Sequence, residues 1–430
     1  MRRRTLLRLA GAAGVPGSVL GVARAAGAAR PRVVIIGAGW GGLAAAHALS
    51  READAFDVRV LDREAVLRAL PLSNAWLVGR TPLRLPPVDL AALARAQGWR
   101  FDRLAVRAID RAQRVVDAGS ERIGYDALVV ATGATGDAAA WFGDDARAAD
   151  EARARFAAGF DAAELDACRA GLQRFADAGG GTLVMTVPPP PYRCPPAPYE
   201  RALLLGWWIK TRRLKAKLIV LDAGGGMPRL NRLLGERYAA QVELRLHAPV
   251  RRVDPFARIA TTDDGDERFD HALLLPPMHA GALVREAGLL GRDAHGAPTR
   301  WAAVDANTLR SPHDERVWIV GDAMDSVSLL FGAYPKTAHI AADLGAAAAA
   351  QIAAVLRGAA APEAALPRSQ CHVWLDADPA EQLMLDASFR RRGDGVIVQS
   401  VRQIDNPQPR DEDLAWARGL LRERLGIAAA

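Results

Sequence analysis

Three cysteines in 430 residues, at Cys168, Cys194 and Cys371, are too few for a disulfide scaffold. No Cys-x-x-Cys-His run occurs, so the chain has no attachment motif for a c-type haem of its own. No metal site is expected either. Beyond the first residues there is no charge-free stretch long enough to span a bilayer, and no transmembrane anchor is expected. The alanine-rich run 345–356 adjoins Asp343 and contains Gln351, and it reads as a buried helix. Acids are missing altogether from the first 28 residues, where Arg2, Arg3, Arg4, Arg8 and Arg24 lie. Without those five arginines the formal charge of +7 falls to +2, which leaves no general field for nucleic acid. The composition is half hydrophobic and about a quarter charged. That excludes disorder and collagen, and the length calls for two or three domains.

Residues 1–29 read as an export leader. Arginines come first, an uncharged run from Leu9 to Ala23 follows, and Ala26-Gly27-Ala28 suits cleavage beside small residues. Arg3-Arg4-Thr5-Leu6-Leu7-Arg8 resembles the twin-arginine signal, which exports proteins already folded around a cofactor. An ordinary secretory leader is the other reading. Both imply a periplasmic protein.

The fold signal starts directly afterwards. Arg32–Ile36 is a short apolar strand, Gly37-Ala-Gly39-Trp-Gly-Gly42 is a glycine loop, and 43–49 is helical in pattern. A second strand, 58–61, ends in Asp62, twenty residues beyond Gly42. This is the strand, loop, helix, strand and acid order of a dinucleotide site. Gly37 permits the turn, Gly39 lets backbone approach a pyrophosphate, and Gly42 lets the helix pack close to the strand. The helix N-terminus offers free N–H groups to phosphate, and Asp62 offers acceptors to a ribose.

Two further segments identify the nucleotide as FAD. The run 125–133, ending in Thr132 and Gly133, resembles the strand-and-turn signature of flavoproteins with two dinucleotide domains. The run 317–322, ending in Gly321 and Asp322, resembles their second FAD signature, whose acid binds the ribityl and phosphate end. Such proteins carry a second Rossmann-like domain for a nicotinamide cofactor, and 146–299 is the candidate. Its first strand, 182–187, is followed by Pro188-Pro-Pro-Pro191 instead of a glycine loop. Proline has no N–H for a phosphate, and its ring blocks close approach. The Gly224–Gly226 turn comes only after the next strand and its Asp222. The fold is therefore expected to survive without its nicotinamide site.

Among the cysteines, Cys168 shares a helical face with Leu165, Leu172 and Phe175 and reads as core. Cys194 and Cys371 read as loop residues flanked by proline. The residues alone leave a structural bridge and a redox pair open, and favour the structural one because most exported disulfides are structural.

Arg193-Cys-Pro-Pro-Ala-Pro-Tyr-Glu-Arg201 resembles the reactive-cysteine loop of the flavoprotein subunit of flavocytochrome c sulfide dehydrogenase. Leu275-Pro-Pro, Ala287-Gly-Leu, Gly321-Asp-Ala323, Tyr334-Pro-Lys-Thr337 and Ser369-Gln-Cys-His372 follow in that family's order. The family is related to sulfide:quinone oxidoreductases. The resemblance implies an α/β fold of two Rossmann-like domains with a small α+β C-terminal domain. FAD is then held by 30–145 and 300–357, the second domain is 146–299, and 358–430 forms the flavin and interface end. It further implies a redox-active Cys194–Cys371 disulfide, Glu200 as proton manager, and Lys336 at the N1/O2 edge of the flavin. From the residues alone, Glu200 also reads as a surface carboxylate paired with Arg201, and Lys336 as a solvated loop lysine. The implied reaction is sulfide oxidation, with electrons passed to a separate c-type cytochrome. A quinone- or thiol-linked enzyme, and a non-catalytic flavoprotein supporting a sulfur-oxidising assembly, are the alternatives. One position departs from the family: Leu70 stands where many members attach FAD through cysteine, so non-covalent FAD is expected.

Overall fold

The computed structural model describes residues 30–52, 54–81 and 85–427, and the expected leader lies outside the described residues. The chain begins with β1 (Arg32–Ile36), α1 (Trp40–Ser50) and β2 (Asp57–Asp62). A short helix α2 (Ser73–Leu77), then β3 (Arg100–Arg103) and β4 (Ala127–Val130) complete the first run. β1 lies between β2 and β4 in parallel register, with Ile36 opposite both Leu61 and Val130. Strand β1 is apolar at consecutive positions because both faces of a parallel sheet are covered.

The second run is α3 (Leu165–Asp177), β5 (Gly180–Val187), α4 (Ala197–Thr211) and β6 (Lys215–Asp222). With β7 (Val242–Arg245) and β8 (His271–Leu273) it makes a four-stranded parallel sheet in the order β7-β6-β5-β8. Alternate residues of this sheet enter different cores. Leu183, Met185, Leu218 and Val220 join the main core with Leu203 of α4. Val184, Ile219 and Leu221 join a smaller core with Trp141, Phe156 and Phe269. The period of two along a strand produces this division.

The chain then returns to the first sheet through β9 (Asp314–Ile319), which pairs with β4 in parallel, Trp318 opposite Val129. Helix α5 (Ala338–Leu356) is the alanine-rich segment. It is the one described helix long and apolar enough to cross a membrane, and two thirds of that window is buried inside the protein. Its small residues serve close packing. A Cβ at Gly345 would overlap the Gly41 carbonyl, so the backbones of α1 and α5 touch there. The chain finishes with an antiparallel meander of β10 (Arg368–Ala377), β11 (Ala380–Arg391) and β12 (Ile397–Asn406). Helix α6 (Glu412–Leu425) follows and buries Ala417, Leu420, Leu421 and Leu425. The fold is α/β, with two Rossmann-like parallel sheets and a small α+β end.

Candidate active site

A cavity of about 890 Å³ runs from the glycine loop to the C-terminal meander. At one end, β1 turns into α1. Gly37 has φ +102°, and a Cβ there would overlap the Ala131 carbonyl; a Cβ on Gly42 would overlap the Gly37 carbonyl. Gly39 differs. A Cβ on it would meet nothing within 4 Å and would fill open space at the cavity wall. Gly39 is also the N-cap of α1, with no side chain capping the first turn. The N–H groups of that turn and the cradle at Gly39 suit a phosphate. Asp62 ends β2 on the cavity wall and accepts from Ala38 N at 2.6 Å and Glu64 N at 2.9 Å. Thr132 and Gly133 line the same space, and the buried Thr132 hydroxyl has no protein partner. A buried orphan hydroxyl beside a cradle shaped for phosphate fits a dinucleotide.

Gly321 and Asp322 form a short turn after β9 and also face the cavity. Asp322 accepts from Arg193 Nε at 3.2 Å, a partner 129 residues away that sequence reading did not provide. Arg193 also donates to the carbonyls of Phe160 and Ala134, the second of which ties the cysteine loop to the first domain. Lys336 is buried, not a solvated loop lysine. Its ammonium donates to the carbonyls of Asp322 at 2.8 Å and Met324 at 3.1 Å, and lies 3.7 Å from the Trp301 ring centre. Burial lowers its pKa to about 8, against the pull of Asp322 and Asp325.

Cys194 and Cys371, 177 residues apart, line this one cavity. Cys194 sits at φ +51° just before α4, with its N–H on the Lys336 carbonyl at 2.8 Å. Cys371 is not in a loop as expected. It lies inside β10 opposite Leu385, because 368–377 pairs along its length with β11. No bond joins the two sulfurs in this structure, where both are free cysteines. Burial raises both pKa values, Cys194 well above the ordinary range and Cys371 to about 11. Protonated thiols are the unreactive form in disulfide exchange. Each sulfur also feels Glu200, and Cys194 feels Cys371. Cys168 is buried in α3 among Leu165, Leu172 and Phe175, away from the cavity wall.

Glu200 is in the first turn of α4 and points into the cavity wall. It makes no ion pair with Arg201. Oε1 accepts from Trp374 N at 2.9 Å, and Oε2 from Asn74 Nδ2 at 2.5 Å. Burial pushes its pKa up to about 7, with those two bonds and Arg201 opposing. Nothing in the sequence marks Asn74 as a partner of Glu200. Its link to Glu200 spans 126 residues and leaves no periodic trace. His372, next to Cys371, also lines the cavity and packs against Trp416 of α6. Among the described residues, no group of three or more His, Cys, Asp or Glu side chains is placed to hold a metal.

Two sequence families match parts of the chain. Residues 31–181 match the pyridine nucleotide-disulphide oxidoreductases, and 167–275 match the central part of the sulfide dehydrogenase (flavocytochrome c) flavoprotein chain. The second match contains Cys194 and Glu200. Among solved structures, the sulfide:quinone oxidoreductase of Aquifex aeolicus is similar at 18% identity over 93% of each chain, with TM-score 0.71. An NAD-dependent persulfide reductase from A. fulgidus is similar at 14% identity over 92% of this chain and 77% of that one, TM-score 0.60. Putidaredoxin reductase, in its covalent complex with putidaredoxin, is similar at 18% identity over 92% and 94%, TM-score 0.60. These structural likenesses establish the fold, and the family matches imply a flavin cofactor. The chain has the pyridine nucleotide-disulphide oxidoreductase fold, and the two family matches support a flavin oxidoreductase.

Proposed function

We propose that this protein oxidises sulfide through Cys194 and Cys371 and passes the electrons to a separate c-type cytochrome in the periplasm. One observation carries the reading: two distant cysteines and a carboxyl of near-neutral pKa share the cavity of the glycine loop. Gly39 and the α1 N-terminus would hold the pyrophosphate of FAD, Asp62 a ribose, and Thr132 and Asp322 its remaining polar groups. Bound FAD supplies an acceptor for two electrons. Leu70 lines the cavity with hydrocarbon alone, so the flavin is held without a thioether. Acid denaturation should release it into solution; flavin precipitating with the polypeptide would contradict this.

In the oxidised protein Cys194 and Cys371 share a disulfide. Hydrosulfide attacks one sulfur, the S–S bond breaks, and a persulfide forms on one cysteine with a thiolate on the other. A second hydrosulfide takes the outer sulfur as the hydrodisulfide anion, HSS⁻, and leaves one cysteine as thiol and the other as thiolate. Re-forming the protein disulfide gives up two electrons and one proton, and Glu200 would take the proton. The absence of a haem motif in the sequence is consistent with a separate cytochrome.

Anaerobic sulfide should bleach the flavin band of the wild type. Cys194→Ser and Cys371→Ser should each abolish bleaching in protein that still folds and binds FAD. Cys168→Ser should leave it nearly unchanged. Bleaching by folded Cys194→Ser at the wild-type rate would sink the mechanism. Faster turnover with quinone than with cytochrome c would remove the proposed acceptor alone.

A further inference from the structure

We infer that Asn74 is a positioning residue that holds Glu200 apart from Arg201, so that the carboxyl can gain and lose a proton beside Cys194. The inference rests on the reading of Glu200 as the proton-handling group. Asn74 is buried, and its amide lies between the two charged side chains. Nδ2 donates to Glu200 Oε2 at 2.5 Å and to the Ala197 carbonyl at 3.0 Å. Oδ1 accepts from Arg201 Nε at 2.9 Å. The amide has one workable orientation. Flipped, its oxygen would face the carboxyl and carbonyl oxygens, and its N–H groups would face a guanidinium.

Arg201 is buried too, yet no acid neutralises it directly in this arrangement. Its other donors go to the Ala158 and Gly159 carbonyls, and its guanidinium stacks 4.1 Å from the Phe160 ring centre. A guanidinium in direct contact would hold the carboxyl ionised well below neutrality. With the amide between them, the charges interact only at a distance. Burial is the main force against ionisation, Asp413 of α6 adds to it, and the carboxyl pKa is pushed up to about 7. The Cys194 and Cys371 thiols that face it are neutral there, because burial and Glu200 itself raise their pKa values. The backbone aims Asn74 at this point. Leu72, the N-cap of α2, has φ +70°, and Leu70 to Ser73 run along the cavity wall before Asn74 turns inward.

The test uses the flavin-loaded protein and the C=O band of a protonated carboxyl in pH-difference infrared spectra, assigned by its loss in Glu200→Gln. Asn74→Asp gives Arg201 a carboxylate of its own, removes the donor to Glu200 and adds a like charge. Glu200 should then bind its proton about tenfold more tightly or better. Asn74→Ala lets Arg201 close on Glu200, and proton binding should weaken about tenfold. Opposite shifts are the signature of a spacer, and shifts in one direction, or none, would overturn it. If Asn74→Asp does not fold, Asn74→Ala decides alone: a midpoint that fails to fall is fatal. The band is read without sulfide. Opposite shifts in a protein that never oxidises sulfide would therefore count against the proposed reaction and leave the role of Asn74 standing.

Discussion

The two parallel sheets end in the same kind of crevice and put it to opposite uses. At the end of β1, Gly37–Gly42 leads into a helix whose first turn faces an open cavity. At the end of β5 the chain runs into Pro188–Pro191, which offers no N–H groups. Each second strand ends in an acid, Asp62 on β2 and Asp222 on β6. Asp62 stays at the cavity wall. Asp222 is 1% exposed; it accepts from the Tyr199 hydroxyl at 2.7 Å and Gly224 N at 2.8 Å. A tyrosine of the protein thus sits on the acid that a nucleotide ribose would otherwise meet. Open parallel sheets bind ligands at strand ends as a rule of topology, but the loop residues decide whether a given end is available. Helix α4 makes the contrast sharp. Tyr199 closes the second crevice, and the next residue, about 100° around the helix, is Glu200 at the sulfur site.

The comparison breaks most severely at Gly42. Gly42→Ala should yield little folded, flavin-bearing protein, since the added methyl would overlap the Gly37 carbonyl. Gly39→Ala should fold with a near wild-type melting temperature but bind FAD at least about tenfold more weakly, a loss of about 1.4 kcal/mol. Equal flavin affinity would mean that the cradle at Gly39 holds no phosphate.

For the second crevice, NADH should reduce the flavin slowly or not at all in anaerobic rapid mixing. Fast reduction at micromolar NADH would erase the difference between the two units. Tyr199→Phe should cost about 1–3 kcal/mol in denaturant unfolding, because Asp222 loses a buried donor. No measurable loss would show that the tyrosine is incidental.

The pH-dependent effect concerns Glu200. Its pKa is raised to about 7, so the folded state holds the proton more tightly than the unfolded chain. Its contribution is complete below about pH 4.5 and is lost as pH rises through about 7. Relative to wild type, Glu200→Gln should therefore gain melting temperature over that interval. A constant offset between the two proteins would show that Glu200 does not titrate there.

Residues 32–36, 40–50 and 57–62 take the structure their pattern indicates, because a buried parallel strand, a glycine turn and a helix N-terminus are each specified within a few residues. The proline run was equally legible, since a missing N–H needs no tertiary context. Cys371 shows the limit. Its neighbourhood reads as a loop, yet pairing with β11 makes it a strand, and strand propensity depends heavily on such context.

By itself, then, the sequence determined the strand-end chemistry of both crevices and the residue types facing the first. Tertiary structure alone decided which distant side chains meet. Glu200 and Lys336 each read two ways in the sequence. Packing of α4 against β10 and α2 put the one on Trp374 and Asn74, and the turn after β9 buried the other on its carbonyls. Arg193 reaches Asp322 across 129 residues, and Cys194 shares a wall with Cys371 across 177. Backbone signals act over one turn or one strand. A side-chain contact at such separation is fixed only when whole sheets and helices have packed, so no local pattern encodes it.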